Sequence, residues 1–143
     1  MGAGTDLPPS GAGAGRVFLS IKDADKTDEM AATARLMIEL GFEIVATRGT
    51  AAFLEGAGIA CTLVNKVYEG RPNIVDMMKD GQIALVFNTT EGARAVEDSR
   101  DIRAEALYGR IPYFTTAAGS HAAALAMKSR EEGEIGVQSL QSR

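Results

Sequence analysis

Short apolar runs and amphipathic stretches alternate five times along this chain, and no other feature limits the fold as strongly. Residues 16–21 (R-V-F-L-S-I), 42–46, 59–64, 82–87 and 111–114 have the length and content of buried strands. Helical patterns lie between and after them, at 26–40, 50–55, 73–79, 97–108 and 117–129. In the first helix Met30, Ala34, Met37 and Ile38 share a face, Asp23 and Asp25 are candidate caps, and Gly41 supplies the stop. Asn73 caps the third helix with Asp76 three residues on, and Gly109 stops the fourth. Strand–helix alternation predicts an α/β fold, a parallel sheet of five strands between two helical layers. No sequence repeat accompanies it, which argues against a solenoid. A weaker apolar pattern at 135–140 predicts a final edge strand.

The polar residues collect just after the strands. Ser20, Lys22 and Lys26 follow the first, and T-R-G-T (47–50) follows the second. V-N-K-V (64–67) and E-G-R-P follow the third, N-T-T (88–90) the fourth, and Thr115-Thr116 the fifth. Open α/β sheets bind ligands outside the carboxyl ends of their strands. Here those ends carry hydroxyls, amides and cations, a set that suits an anion. Thr47 and Thr50 flank Gly49 at a helix start, where backbone N–H groups are unpaired and the helix dipole favours negative charge. Lys26 and Lys66 would add compact point charges, and Asn88 and Thr90 could bond a ribose or a base edge. Taken singly, Thr50 reads as a helix cap, the lysines as solvated side chains and 88–90 as a cap before a loop; their convergence at strand ends points to a phosphorylated small molecule such as a nucleotide. Neither G-x-x-x-x-G-K-[ST] nor G-x-G-x-x-G after a strand is present.

Charge and composition narrow the ligand class. Fifteen basic against 19 acidic side chains give a net charge of −4, which disfavours nucleic acid, and the absence of Trp removes the usual stacking platform. No apolar run is long enough for a membrane span, and no secretory signal precedes the first strand. One cysteine, Cys61, permits no internal disulfide or cysteine-based zinc site, and one histidine, His121, no histidine cluster, so no metal is expected. A cytoplasmic setting is the default. Cys61 reads as core of the third strand, Met77-Met78 as helix core, residues 97–103 as a solvated face and His121 as structural or surface. Five of the sixteen glycines fall in residues 1–15, which read as a linker with Pro8-Pro9 as its stiff point. That leader fits a severed connection or a free terminus equally.

At these motifs the chain closely resembles the C-terminal regulatory domain of the large subunit of glutamine-hydrolysing carbamoyl-phosphate synthase, which has the methylglyoxal-synthase-like (Rossmann-like) fold. The resemblance runs from Arg16 onward. It is carried by G-F-E-I-V-A-T-R-G-T-A (41–51), L-V-N-K-V-Y-E-G-R-P-N-I-V-D (63–76), N-T-T-E-G-A-R-A-V-E-D-S-R-D-I-R (88–103) and Y-F-T-T (113–116). Even the leader looks like the family's connection to a preceding domain, which implies a linker at 1–15 and a regulatory domain at 16–143.

The resemblance implies binding of UMP as an inhibitor and of IMP at an overlapping site. Lys26, Thr47, Gly49, Thr50 and Lys66 would meet the phosphate. Asn88, Thr89 and Thr90 would meet the ribose and base, with Ser20 and Val67 nearby. Tyr113 and Thr115 match this domain's share of an ornithine site whose acidic half belongs to the neighbouring domain. The chain itself would perform no catalysis. Its parent would be an ATP-dependent ligase of pyrimidine and arginine biosynthesis that uses magnesium or manganese. Its partners would be the rest of the large subunit and the small glutaminase subunit, and a face uncovered by their absence leaves homodimerisation open.

Two other classes compete. Methylglyoxal synthase shares a similar phosphate loop, but its catalytic carboxylate aligns at Glu69-Gly70-Arg71, where an arginine cannot act as a general base. Its two histidines match Lys22 and the neighbourhood of Glu97. A third class is a subunit-interaction module without a ligand.

Overall fold

A computed structural model describes the backbone of residues 15–64, 73–89 and 93–141, with side chains over 15–64, 73–89 and 100–130. The described strands are β1 (Gly15–Ser20), β2 (Phe42–Ala46), β3 (Thr62–Leu63), β4 (Ile83–Asn88) and β5 (Tyr113–Phe114). The helices are α1 (Asp28–Glu39), α2 (Arg48–Gly56), α3 (Ile74–Lys79), α4 (Ala93–Tyr108) and α5 (Ala117–Gln141). The strands form one sheet in the order β3-β2-β1-β4-β5, and every pairing is parallel. This is the expected α/β architecture.

Side-chain alternation along the strands produces the layers. Val17, Leu19, Phe42, Ile44, Ala46, Leu85 and Phe87 face one side, where Met30, Ala34 and Met37 of α1, Leu54 of α2, and Ala124 and Met127 of α5 cover them. Phe18, Val45 and Val86 face the other side, under Ile74 and Met78 of α3 and Ile102 and Ala106 of α4. Both faces are apolar because both are buried, as parallel sheets require. On the first face, alanines on α1 and α5 bring the two helices together. His121 Nδ1 lies 2.7 Å from Thr33 Oγ1 across that contact. The Thr33 hydroxyl also lies 2.9 Å from Glu29 O, so it ties the histidine to the α1 backbone. His121 therefore has the structural role expected of it.

Several local expectations are corrected. Asp23 and Asp25 do not cap α1. They form a 3-10 turn over Asp23–Asp25, and Thr27 is the cap, its hydroxyl accepting from Met30 N–H. Lys26 consequently sits in the connection before the helix. Ile38 is 41% exposed, because the buried face of α1 is centred on Met30, Ala34 and Met37 and Ile38 falls at its margin. The third strand is only two residues long. It lies at a sheet edge, and Ile59 N–H still bonds the end of α2 at Leu54 O. Cys61 thus precedes the strand and is half-buried, not core; burial, then the charge of Glu55, pushes its thiol pKa up.

Helix α2 starts at Arg48, with Thr47 and not Thr50 at the cap position. Helix α4 ends at Tyr108, directly before Gly109 as expected, and the left-handed residue that follows is Arg110, at φ 57°. Residues 135–140 belong to α5 and not to an edge strand: α5 runs on through Gly133 and Gly136 to Gln141, and the described sheet has five strands, β3 and β5 at its edges.

One glycine is required by geometry. β1 begins at Gly15, one residue before the expected boundary, with φ at 126°. A Cβ there would stand 3.1 Å from Ala84 Cβ, where the β1–β4 register slips by one residue. By contrast, the predicted cap of α3 is present in full. Asn73 Oδ1 accepts from Val75 and Asp76 N–H, and Asp76 Oδ2 accepts from Asn73 N–H.

Candidate functional site

In the strand order, β1 connects outward to β2 and β3, while β4 and β5 lie on its other side. The crevice at the carboxyl ends of β1 and β4 is thus the topological switch point, where such sheets bind ligands. The segment leaving β1 is stitched to both neighbours there. Ser20 O accepts from Thr89 N–H, and Lys22 N–H donates to Thr89 Oγ1, each at 2.9 Å. Ile21 N–H donates to Thr50 Oγ1 at 2.9 Å. Thr47 N–H donates to Leu19 O at 3.4 Å. Ser20, Thr47, Thr50 and Thr89 are therefore brought together at the ends of β1, β2 and β4. Thr47, Thr50, Asn88 and Thr89 are all buried, although each is polar.

The start of α2 differs from the starts of α1 and α3. Those two are capped by Thr27 and Asn73 and carry Asp28, Glu29 and Asp76 in their first turns. α2 has no side-chain cap and no acidic residue in its first turn. Instead of capping, the Thr47 hydroxyl lies 3.3 Å from that of Thr50. Two hydroxyl hydrogens are present in this pair, and one is used between them. Thr50 Oγ1 also accepts from Ile21 N–H, and among the described residues the second hydrogen meets no acceptor, at a place where both residues are 2% exposed. A buried donor without an acceptor is costly, and a ligand oxygen would satisfy it.

Charge converges on the same point. Lys26 Nζ lies 3.4 Å from where a Cβ on Gly49 would stand, so the ammonium sits over the α2 N-terminus. A larger residue at position 49 would meet that ammonium. The positive end of a helix and a lysine repel one another, and an anion between them would relieve both. In this state Lys26 is paired with Asp23 at 2.7 Å. That hydrogen bond, and then the lysine's charge, hold the Asp23 carboxyl below its ordinary value. Lys22 pairs more loosely with Asp25, at 3.9 Å. Sequence reasoning missed this role of Asp23, because an acidic residue just before a helix is normally read as a cap.

On the other side of the crevice Asn88 Nδ2 donates to the Tyr113 hydroxyl at 2.7 Å. The Arg103 guanidinium stands 5.3 Å from the centre of the Tyr113 ring. Tyr113 is half-buried and Thr115 exposed. Thr116 serves α5, its hydroxyl accepting from Gly119 N–H. Lys66, Val67 and Thr90, together with Glu69 to Arg71, lie outside the described residues. Among the described residues no group of three or more His, Cys, Asp or Glu could hold a metal ion, and no helix is long and apolar enough to cross a membrane.

A crevice of this kind has relatives. A family model described as "MGS-like domain" matches residues 29–115. The chain is 45% identical over 142 residues to the carbamoyl phosphate synthase large chain of Rhizobium meliloti (strain 1021), covering 99% of this chain and 12% of that protein. It is 48% identical over 136 residues to the protein of that name from Ralstonia nicotianae, covering 94% of this chain and 12% of the relative. Identity to the large chain of Xanthomonas axonopodis pv. citri is 45% over 132 residues. The chain thus spans about an eighth of the length of these relatives, 12% in each case.

Proposed function

The chain belongs to the MGS-like domain family, and from that premise we propose that it is the allosteric regulatory domain of a carbamoyl phosphate synthase large chain. On this reading it binds UMP, and IMP at an overlapping site, in the crevice between β1 and β4. The observation that carries the reading is the start of α2, which has no side-chain cap, with Lys26 above it and a hydroxyl hydrogen of the Thr47–Thr50 pair that meets no acceptor among the described residues. The phosphate takes the α2 amides, that hydroxyl and the ammoniums of Lys26 and Lys66. Asn88, Thr89 and Thr90 take the ribose and base, and Ser20 and Val67 line the site. Tyr113 and Thr115 form this chain's share of an ornithine site completed by the neighbouring domain. The remaining large-chain domains and the glutaminase subunit are the partners.

Regulation follows from linkage. UMP inhibits if it binds a low-activity state more tightly than a high-activity one, and equal affinity for both would regulate nothing. Coupling of this sort is typically about 1–3 kcal/mol, roughly 5–150-fold in affinity. The parent's ATP- and metal-dependent chemistry is carried out by residues beyond this chain.

Two expected results follow. Lys66→Ala, which removes a point charge from the phosphate end, should weaken UMP binding by roughly 10-fold, since a charge-assisted contact is lost. Isothermal calorimetry on folded samples measures this, and an unchanged affinity removes Lys66 from the site. The chain should also form no methylglyoxal from dihydroxyacetone phosphate, because Arg71 stands where that reaction needs a carboxylate. Turnover above background would reassign the family member as a lyase.

A further inference from the structure

We propose that Asp23 is a resident counter-anion, a carboxylate that occupies the Lys26 ammonium when the crevice is empty and must be displaced for a phosphate to bind. The inference rests on the reading of the crevice as a phosphate site and adds a regulatory part to it.

The geometry supplies the reasons. Lys26 is held in the short connection between the 3-10 turn and α1, and its ammonium is carried over Gly49 at the positive end of α2. A cation there is electrostatically unfavourable unless an anion accompanies it. Asp23 provides one, at 2.7 Å. The two partners are unequal: the Lys26 side chain is 20% exposed, whereas that of Asp23 is 93% exposed. The lysine is thus fixed against the protein, and the aspartate reaches it from solvent. Asp23 makes no other side-chain hydrogen bond or ion pair among the described residues, and the 3-10 turn that carries it has no buried residue. Swinging its carboxylate away therefore disturbs no packing. An exposed ion pair of this kind is weak, so a ligand that engages the ammonium and the α2 amides together displaces it.

The consequence falls hardest on weakly held ligands. A carboxylate arriving at Lys26 only replaces one monoanion by another. A phosphate brings up to two charges and three acceptor oxygens, enough to meet the ammonium, the helix amides and a Thr47–Thr50 hydroxyl hydrogen at once. Asp23 lowers the affinity for every anion, and the loss is least tolerable for monoanions. It acts as a built-in threshold against small carboxylates.

Calorimetry with UMP and with inorganic phosphate, on wild type and Asp23→Asn, tests this. Thermal melts check that each sample is folded. Asp23→Asn should bind both ligands roughly 2–5-fold more tightly, the range set by an exposed ion pair. The gain should vanish in a Lys26→Met background. Equal or weaker binding by Asp23→Asn overturns the proposal and leaves the phosphate site standing. A gain that persists with Lys26→Met also overturns it, since the effect would then be one of general charge. If folded wild type and Asp23→Asn both fail to bind UMP and phosphate, the phosphate-site reading falls and the proposal with it.

Discussion

Thr50→Val should lose about 1–3 kcal/mol of stability, the cost of leaving a buried backbone N–H without its acceptor. Thr50 Oγ1 is the acceptor for Ile21 N–H at 2.9 Å, and this bond closes the connection that leaves β1 onto the start of α2. Valine keeps the side chain's shape and removes only the oxygen, so a cavity contributes little. The same substitution breaks the contact with the Thr47 hydroxyl and removes a donor from the crevice. UMP affinity should fall by roughly 10–100-fold if a hydrogen bond to a charged oxygen is lost. Urea unfolding should show a lower midpoint with an unchanged slope, the sign of a stability change without a change in compactness. Thr50→Ser, which retains the hydroxyl, should recover most of both losses. A midpoint equal to wild type for Thr50→Val would mean that Ile21 N–H is satisfied otherwise and that the connection is not held as described.

Phe87→Ala should be the more damaging to the fold, at about 3–5 kcal/mol. Phe87 is fully buried, with its ring edge-on to that of Phe114 at 5.8 Å and an interplanar angle of 72°. It lies in the central part of the sheet, paired through β1 at Leu19 and through β5 at Phe114. Removing the ring leaves a cavity that close-packed neighbours fill only in part. A domain's whole stability is about 5–15 kcal/mol, so this one change should move the unfolding midpoint severely. Asn88 and Thr89 follow directly, and loosening the end of β4 should weaken nucleotide binding before global unfolding sets in. Phe114→Ala should cost less, because Phe114 is only half-buried and the cavity is open to collapse. Equal costs for the two would contradict the placement of Phe87 at the centre of the core.

What could be read from residues alone was what local pattern determines. β2 is an apolar run between a glycine stop and a polar loop, and its bounds follow directly. The cap of α3 is a motif within four residues. The T-R-G-T loop announces a helix start whether or not the tertiary structure is known. Contacts made far along the chain were not legible. Asp23 and Asp25 have the composition of caps, and only the position of Lys26 over Gly49 gives Asp23 its other use. Which helices cover which face depends on strand order, which periodicity does not contain; α5 pairs with α1 although their sequences lie far apart. The apolar residues of 135–140 fit a strand as well as a helix, and only the structure shows that α5 continues through them. Composition also placed Gly15 with the leader, whereas its backbone conformation begins β1.

The central claim is that the carboxyl ends of β1, β2 and β4, with the start of α2, form a site for a nucleotide's phosphate. Calorimetric titration of UMP into the folded chain tests it most directly. The account predicts saturable binding with one site per chain, competition by IMP, and clear weakening by Lys26→Met and by Thr50→Val. A folded sample that gives no binding heat and no thermal shift with either nucleotide would contradict it, and would leave the chain as a module that joins subunits without a ligand of its own.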